Sequence, residues 1–209
     1  TAEHPGLMPE DEYDLAGFAI GFVEKEKIID GSGIKAGDMI IGLKSNGLHS
    51  NGYSLARKIL LEIHNLDLDG IYEDFNNKLY EELLKPTKIY VKSVISVLDK
   101  FDIKGMAHIT GSGLPGNIKR IIPDGLMAKI DLTGHKIPSI FNFIMKLGNV
   151  SIEEMYSTFN MGIGFIVIVD KSNAMPVIQM FKEQGENAFE IGSIEISSNG
   201  EKVHIDYLL

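Results

Sequence analysis

Met39-Ile-Ile-Gly-Leu-Lys-Ser-Asn-Gly-Leu-His-Ser-Asn-Gly-Tyr-Ser-Leu-Ala-Arg57 contains a strand, a loop and the start of a helix. Met39 to Leu43 is short and continuously apolar, the pattern of a buried strand. Ser45 to Gly52 is polar and rich in glycine and asparagine, which marks a loop. From Tyr53 to Ile63, the residues Leu55, Ile59 and Ile63 recur every four positions and predict an amphipathic helix. The same grammar returns further on. Gly105 to Ile109 predicts a strand, Thr110-Gly-Ser-Gly-Leu-Pro-Gly116 a second glycine loop, and Asn117 to Ile122 a short helix stopped by Pro123-Asp-Gly125.

Working outward, Tyr13 to Val23 reads as a strand, with aromatic, β-branched and small residues. Helices are expected at 77–84 and 88–98, separated by Pro86. Beyond residue 125, strands are expected at 126–131, 163–169, 188–196 and 202–207, and helices at 138–147, 152–158 and 174–184. No repeat, low-complexity tract or linker interrupts this alternation. The expected fold is α+β, one mixed or mostly antiparallel sheet of about six strands packed with helices.

Composition narrows the function classes. With 44% hydrophobic and 23% charged residues over 209 positions, the chain can bury a sizeable core and is not of disordered composition. The absence of cysteine rules out disulfides, thiolate metal sites and a cysteine nucleophile. A net charge of −9 argues against nonspecific nucleic-acid binding. The longest apolar run, Met161 to Val169, falls far short of the ~20 residues that span a bilayer. No basic-then-apolar leader opens the chain, so a cytoplasmic protein without a membrane partner is expected. Thr1-Ala-Glu-His-Pro-Gly6 reads like the middle of a loop, which suggests a processed or truncated chain.

The two glycine loops are the places where chemistry can sit. Each follows an apolar strand and feeds a helix, whose unpaired N–H groups suit an anion. Asn46, Ser50, Asn51 and Thr110 add uncharged donors, and His49 and His108 add a donor or a proton relay. Neither loop ends in the Gly-Lys-Ser/Thr of a Walker A motif, and Gly111-Ser-Gly113 is not a nucleophile elbow. The six histidines show no metal-ligand spacing, so no protein metal site is expected. Asn160-Met-Gly-Ile-Gly164 reads as a tight turn with close backbone packing. From the residues alone, the result is a small-molecule anion site of unassigned reaction.

Read whole, the loops carry a resemblance. Gly42 to Lys58 closely resembles a signature of the phosphoribosylformylglycinamidine cyclo-ligases, or aminoimidazole ribonucleotide synthetases, and His108 to Arg120 resembles their second glycine signature. Thr1 to Gly6, Glu12 to Ala19 and Phe159 to Gly164 match further segments in order. The resemblance implies a ligase that closes formylglycinamidine ribonucleotide to aminoimidazole ribonucleotide in purine synthesis, with ATP and magnesium. ATP phosphorylates the formamide oxygen, and a ring-closing nitrogen then displaces phosphate. It also implies a homodimer of two-domain subunits, with this chain inactive in isolation. Residues 1–12 would be the tail of the inter-domain segment and 13–209 the C-terminal domain. An absent N-terminal domain would hold most ATP and magnesium contacts and the dimer interface. By the same resemblance, Asn46, Gly47, His49, Ser50, Asn51 and Gly52 belong to a first cleft loop; residue chemistry assigns its N–H, serine and asparagine donors to substrate or phosphate and makes His49 the catalytic residue, for polarisation or proton transfer. His108, Thr110, Gly111 and Gly113 belong to a second, and Glu3 to the domain junction.

Several positions depart from that family's pattern. Asn46 replaces a usual serine, Ser112 a middle glycine, Gly116 a glutamate and Lys119 a frequent proline. A positive φ at Ser112 would cost about 1 kcal/mol. These departures keep two other readings open, a noncatalytic nucleotide-binding relative and a different two-domain ATP-dependent enzyme.

Overall fold

The computed structural model describes residues 17–72 and 75–207. Its centre is one six-stranded sheet in the order β2-β4-β1-β5-β3-β6. The strands are β1 (Met39–Lys44), β2 (Ile103–His108), β3 (Leu126–Asp131), β4 (Ile163–Val169), β5 (Ala188–Ile196) and β6 (Val203–Asp206). Every pairing is antiparallel except β3 with β6. The α+β expectation therefore holds, with the apolar runs of β1 and β4 at the buried centre, as continuous hydrophobicity requires.

Helices cover both faces. Helix α1 (Tyr53–Arg57) continues as a π-helical turn over Lys58–Ile63, and α2 (Leu79–Leu83) follows. Next come α3 (Val91–Leu98), α4 (Gly113–Ile118), α5 (Ser139–Gly148), α6 (Ile152–Thr158) and α7 (Ala174–Glu183). Ile59, Leu60, Leu79, Leu114, Ile118, Phe141 and Tyr156 pack on the face bearing Ile40, Ile166 and Ile191. Val94 and Val97 of α3, with Val177 and Phe181 of α7, pack on the face bearing Ile41, Leu43 and Val167.

Three local expectations change. Of the strand expected at 13–23, residues 13–16 lie outside the described residues. From Gly17 to Val23 the chain is unpaired and exposed. A strand needs a partner for its backbone, and none of the described segments supplies one. The helix expected at 117–122 starts four residues earlier, inside the glycine loop. There Gly113 is packed so closely that an added Cβ would collide with the carbonyl of Tyr156. The helix expected from Lys88 starts only at Val91, which leaves Lys88 and Tyr90 on irregular backbone.

Candidate functional site

Both glycine loops leave the sheet beside the start of β4. Lys44, the last residue of β1, pairs with Ile163, and Ser45 N–H donates to the Gly162 carbonyl at 2.9 Å. On the other side of β4, His108 pairs with Phe165, and Ile109 N–H donates to the Gly164 carbonyl at 2.9 Å. The loops then meet: a Cβ placed on Gly111 would lie 3.7 Å from Asn51 Oδ1. All the sequence-nominated residues from Asn46 to Gly113 therefore gather at one end of the sheet. Glu3 lies outside the described residues.

Each loop is held by a buried asparagine that sequence reasoning passed over. Asn160, 2% exposed, donates from Nδ2 to the carbonyls of Gly47 (2.9 Å) and Leu48 (3.1 Å). Its Oδ1 accepts from Ser45 Oγ and Gly162 N–H, both at 2.8 Å. Asn117 does the same for the second loop, donating to the carbonyls of Thr110, Gly111 and Gly113. Its Oδ1 accepts from Thr110 Oγ1 at 3.3 Å. The sequence signal was an asparagine inside an otherwise apolar or glycine-rich run, where an unpaired amide would be costly.

The loop backbones are unusual. His49, Ser112 and Met161 all have positive φ, at 58°, 75° and 47°. Such left-handed non-glycine residues cost of order 1 kcal/mol each and cluster at functional sites. Ser112 does so where the resemblance places glycine. Its side chain fills the space beside Gly116, where an added Cβ would fall 2.6 Å from Ser112 Cβ. The two departures from the family pattern are thus one coupled change, and Arg120 donates to the Ser112 hydroxyl at 3.3 Å.

Beneath the loops lies a cluster of four rings from His49, Tyr90, His108 and Phe165. The His49 ring is 6.3 Å from those of both Tyr90 and His108, and Tyr90 is 5.4 Å from Phe165. Gly164 makes this possible, because a Cβ there would clash with the Tyr90 hydroxyl and with His49 Cε1. Tyr90 OH donates to the Lys44 carbonyl at 3.0 Å, tying the cluster to the end of β1. His49 is buried, whereas His108 is exposed. Asn46 N–H donates to His49 Nε2 at 3.4 Å, which leaves the proton of the neutral ring on Nδ1. Nδ1 has no partner among the described residues. Burial pushes the His49 imidazole down to about 4, helped by His108 and Lys88. Burial also lowers His108. His49 is therefore neutral at physiological pH and buried, whereas Ser50, His108 and Gly111 are exposed and Asn51 and Thr110 half-buried.

These donors suit phosphoryl oxygens. Among the described residues no group of three His, Asp or Glu side chains is placed to hold a metal ion. No helix there is long and apolar enough to cross a membrane.

Residues 35–204 match the family described as AIR synthase related protein, C-terminal domain. The chain belongs to this family. The chain is 53% identical over 194 residues to a phosphoribosylformylglycinamidine cyclo-ligase of Geobacillus kaustophilus, covering 93% of the chain and 56% of that protein. It is 52% identical over 202 residues to the cyclo-ligase of Clostridium perfringens, covering 96% of the chain and 58% of that protein. It thus spans little more than half the length of these curated relatives. Its fold resembles part of thiamine-monophosphate kinase from Stenotrophomonas maltophilia, with TM-score 0.58 at 15% identity over 88% of the chain and 54% of that structure. An E. coli hydrogenase maturation protein gives TM-score 0.53 at 15% identity, over 84% of the chain and 47% of that structure.

Proposed function

We propose that this chain supplies one wall of the cleft in which a longer protein closes formylglycinamidine ribonucleotide to aminoimidazole ribonucleotide at the expense of ATP. The observation that carries the reading is the meeting of two donor-rich loops at one end of the sheet, each held by a buried asparagine. It is supported by identity above 50% to cyclo-ligases across both loops.

Backbone N–H groups with Ser50, Asn51 and Thr110 hold phosphoryl oxygens. His108, on the exposed side, faces the ligand. His49 acts as a positioning residue behind it, since its ring is enclosed and neutral. ATP supplies the phosphoryl group that activates the formamide oxygen, and an amidine nitrogen displaces it as the ring closes. No step is assigned to magnesium, because the described residues offer it no carboxylate cluster.

An N-terminal domain provides the second wall and the surface for homodimer formation. Phe18 and Phe22, 92% and 100% exposed on backbone that pairs with none of the described residues, offer an apolar surface for that contact. The test compares the full-length protein with the 209-residue chain for release of ADP and phosphate. Turnover is expected from the first and none from the second. Turnover by the chain alone would overturn the shared cleft.

A further inference from the structure

The segment between α2 and α3 lies directly against the first loop, although the sequence marks it only as a break around Pro86. Thr87 Oγ1 and Ser50 Oγ share a hydrogen bond of 2.9 Å. A Cβ on Gly47 would lie 3.4 Å from Lys85 Cβ. Lys88, which follows Thr87, extends its ammonium over the Tyr90 ring, 5.4 Å from the centroid. Tyr90 is a member of the ring cluster with His49, so the ammonium stands beside that cluster.

Lys88 is held in place from behind. Its Nζ lies 2.6 Å from Glu186 Oε2, in the turn before β5. Glu186 is 8% exposed at its side chain, and its other oxygen accepts from Ser93 Oγ at 3.0 Å. Lys88 remains 26% exposed. The lysine is therefore oriented by a nearly buried carboxylate while part of it faces solvent, and it directly follows Thr87, whose hydroxyl meets that of Ser50.

We infer that Lys88, with the Ser50 and Thr87 hydroxyls, binds a phosphoryl group of the ligand, and that Glu186 positions the ammonium for it. A compact ammonium next to neutral hydroxyl donors is the combination that recognises a phosphoryl anion as a point charge. The inference rests on the reading of this loop as part of the ligand cleft. It names the cation that the loops themselves lack. The phosphoryl group belongs either to the ribonucleotide or to ATP, and the shared chemistry is the same.

The test is a titration of the chain with ribose 5-phosphate and, separately, ATP, followed by amide shifts at Ser50, Thr87, Lys88 and His108. A saturable response to either probe is expected, and the tighter one identifies the source. Lys88→Gln should weaken it by about tenfold or more, as loss of a charge-assisted hydrogen bond does, and Lys88→Arg should restore part of it. Glu186→Gln should weaken it by less than Lys88→Gln does, because the ammonium remains but loses the carboxylate that orients it, while the Ser93 contact survives. No saturable response, or Lys88→Gln binding within about twofold of the unaltered chain, overturns the inference. Equal weakening by Lys88→Gln and Glu186→Gln also overturns it, since the pair would then be only a brace. Binding is read without turnover, so failure of ring closure in the full-length protein is distinguishable from failure here.

Discussion

At the scale of single residues, Ser112 and Gly116 show how two departures from a family pattern can be one. Gly116 has ordinary helical backbone, so Gly116→Ala alone would be favoured by helix propensity. Instead its Cβ would collide with Ser112 Cβ. We expect Gly116→Ala to cost about 1–3 kcal/mol through overpacking. In a Ser112→Gly background the same change should be neutral or mildly stabilising. Urea unfolding of the double-mutant cycle reads the coupling, and additive effects would contradict it.

His49 makes a second residue-scale prediction. Its folded-state value of about 4 lies below the ordinary 6.5, so the unfolded chain takes up the proton first. Stability is therefore intact above pH 6.5 and declines as pH falls towards 4. At pH 5 the loss from this group is about 2 kcal/mol. His49→Asn tolerates the left-handed backbone and removes the titration, so its stability should fall less between pH 7 and pH 5. The slope that remains includes His108 and His135, both also lowered by burial. Equal slopes in the two proteins would count against a buried neutral His49.

At the scale of elements, the central strands and their loops were legible because apolar runs flanked by glycine and asparagine leave few alternatives. Met39 to Leu43 and Ile163 to Val169 are strands as read, the first extended by Lys44. Helix α4 was misplaced because Gly-Leu-Pro-Gly-Asn-Ile has poor intrinsic propensity. Its start is fixed by packing against Tyr156 and by the amide of Asn117, which only the tertiary structure reveals. The glycine loops themselves were legible, but not their clamps, since Asn160 looks like any turn asparagine until its four hydrogen bonds are seen. Asn160→Ala should cost about 2–4 kcal/mol, because it strands two buried carbonyls and a hydroxyl. It should also broaden the amide signals of Gly47 to Ser50. A variant of unchanged stability with a rigid loop would show that the clamp is incidental.

At the scale of the whole molecule, the sequence pointed to one sheet and two glycine loops, and the structure brings both loops to the same end of that sheet. The expected first strand is where a single chain misleads. Its aromatic, β-branched and small residues read as a strand, yet Phe18, Ile20 and Phe22 are exposed, because residue types report strand propensity but not which segment will pair. Under the proposed function, this chain helps a longer protein use ATP to remove the formyl oxygen during ring closure. The most direct measurement follows that oxygen: the full-length protein is given ATP and formylglycinamidine ribonucleotide bearing a heavy-oxygen label on its formyl group. The account predicts aminoimidazole ribonucleotide with the label transferred to inorganic phosphate. Unlabelled phosphate, or ATP hydrolysis without ring formation, would contradict it.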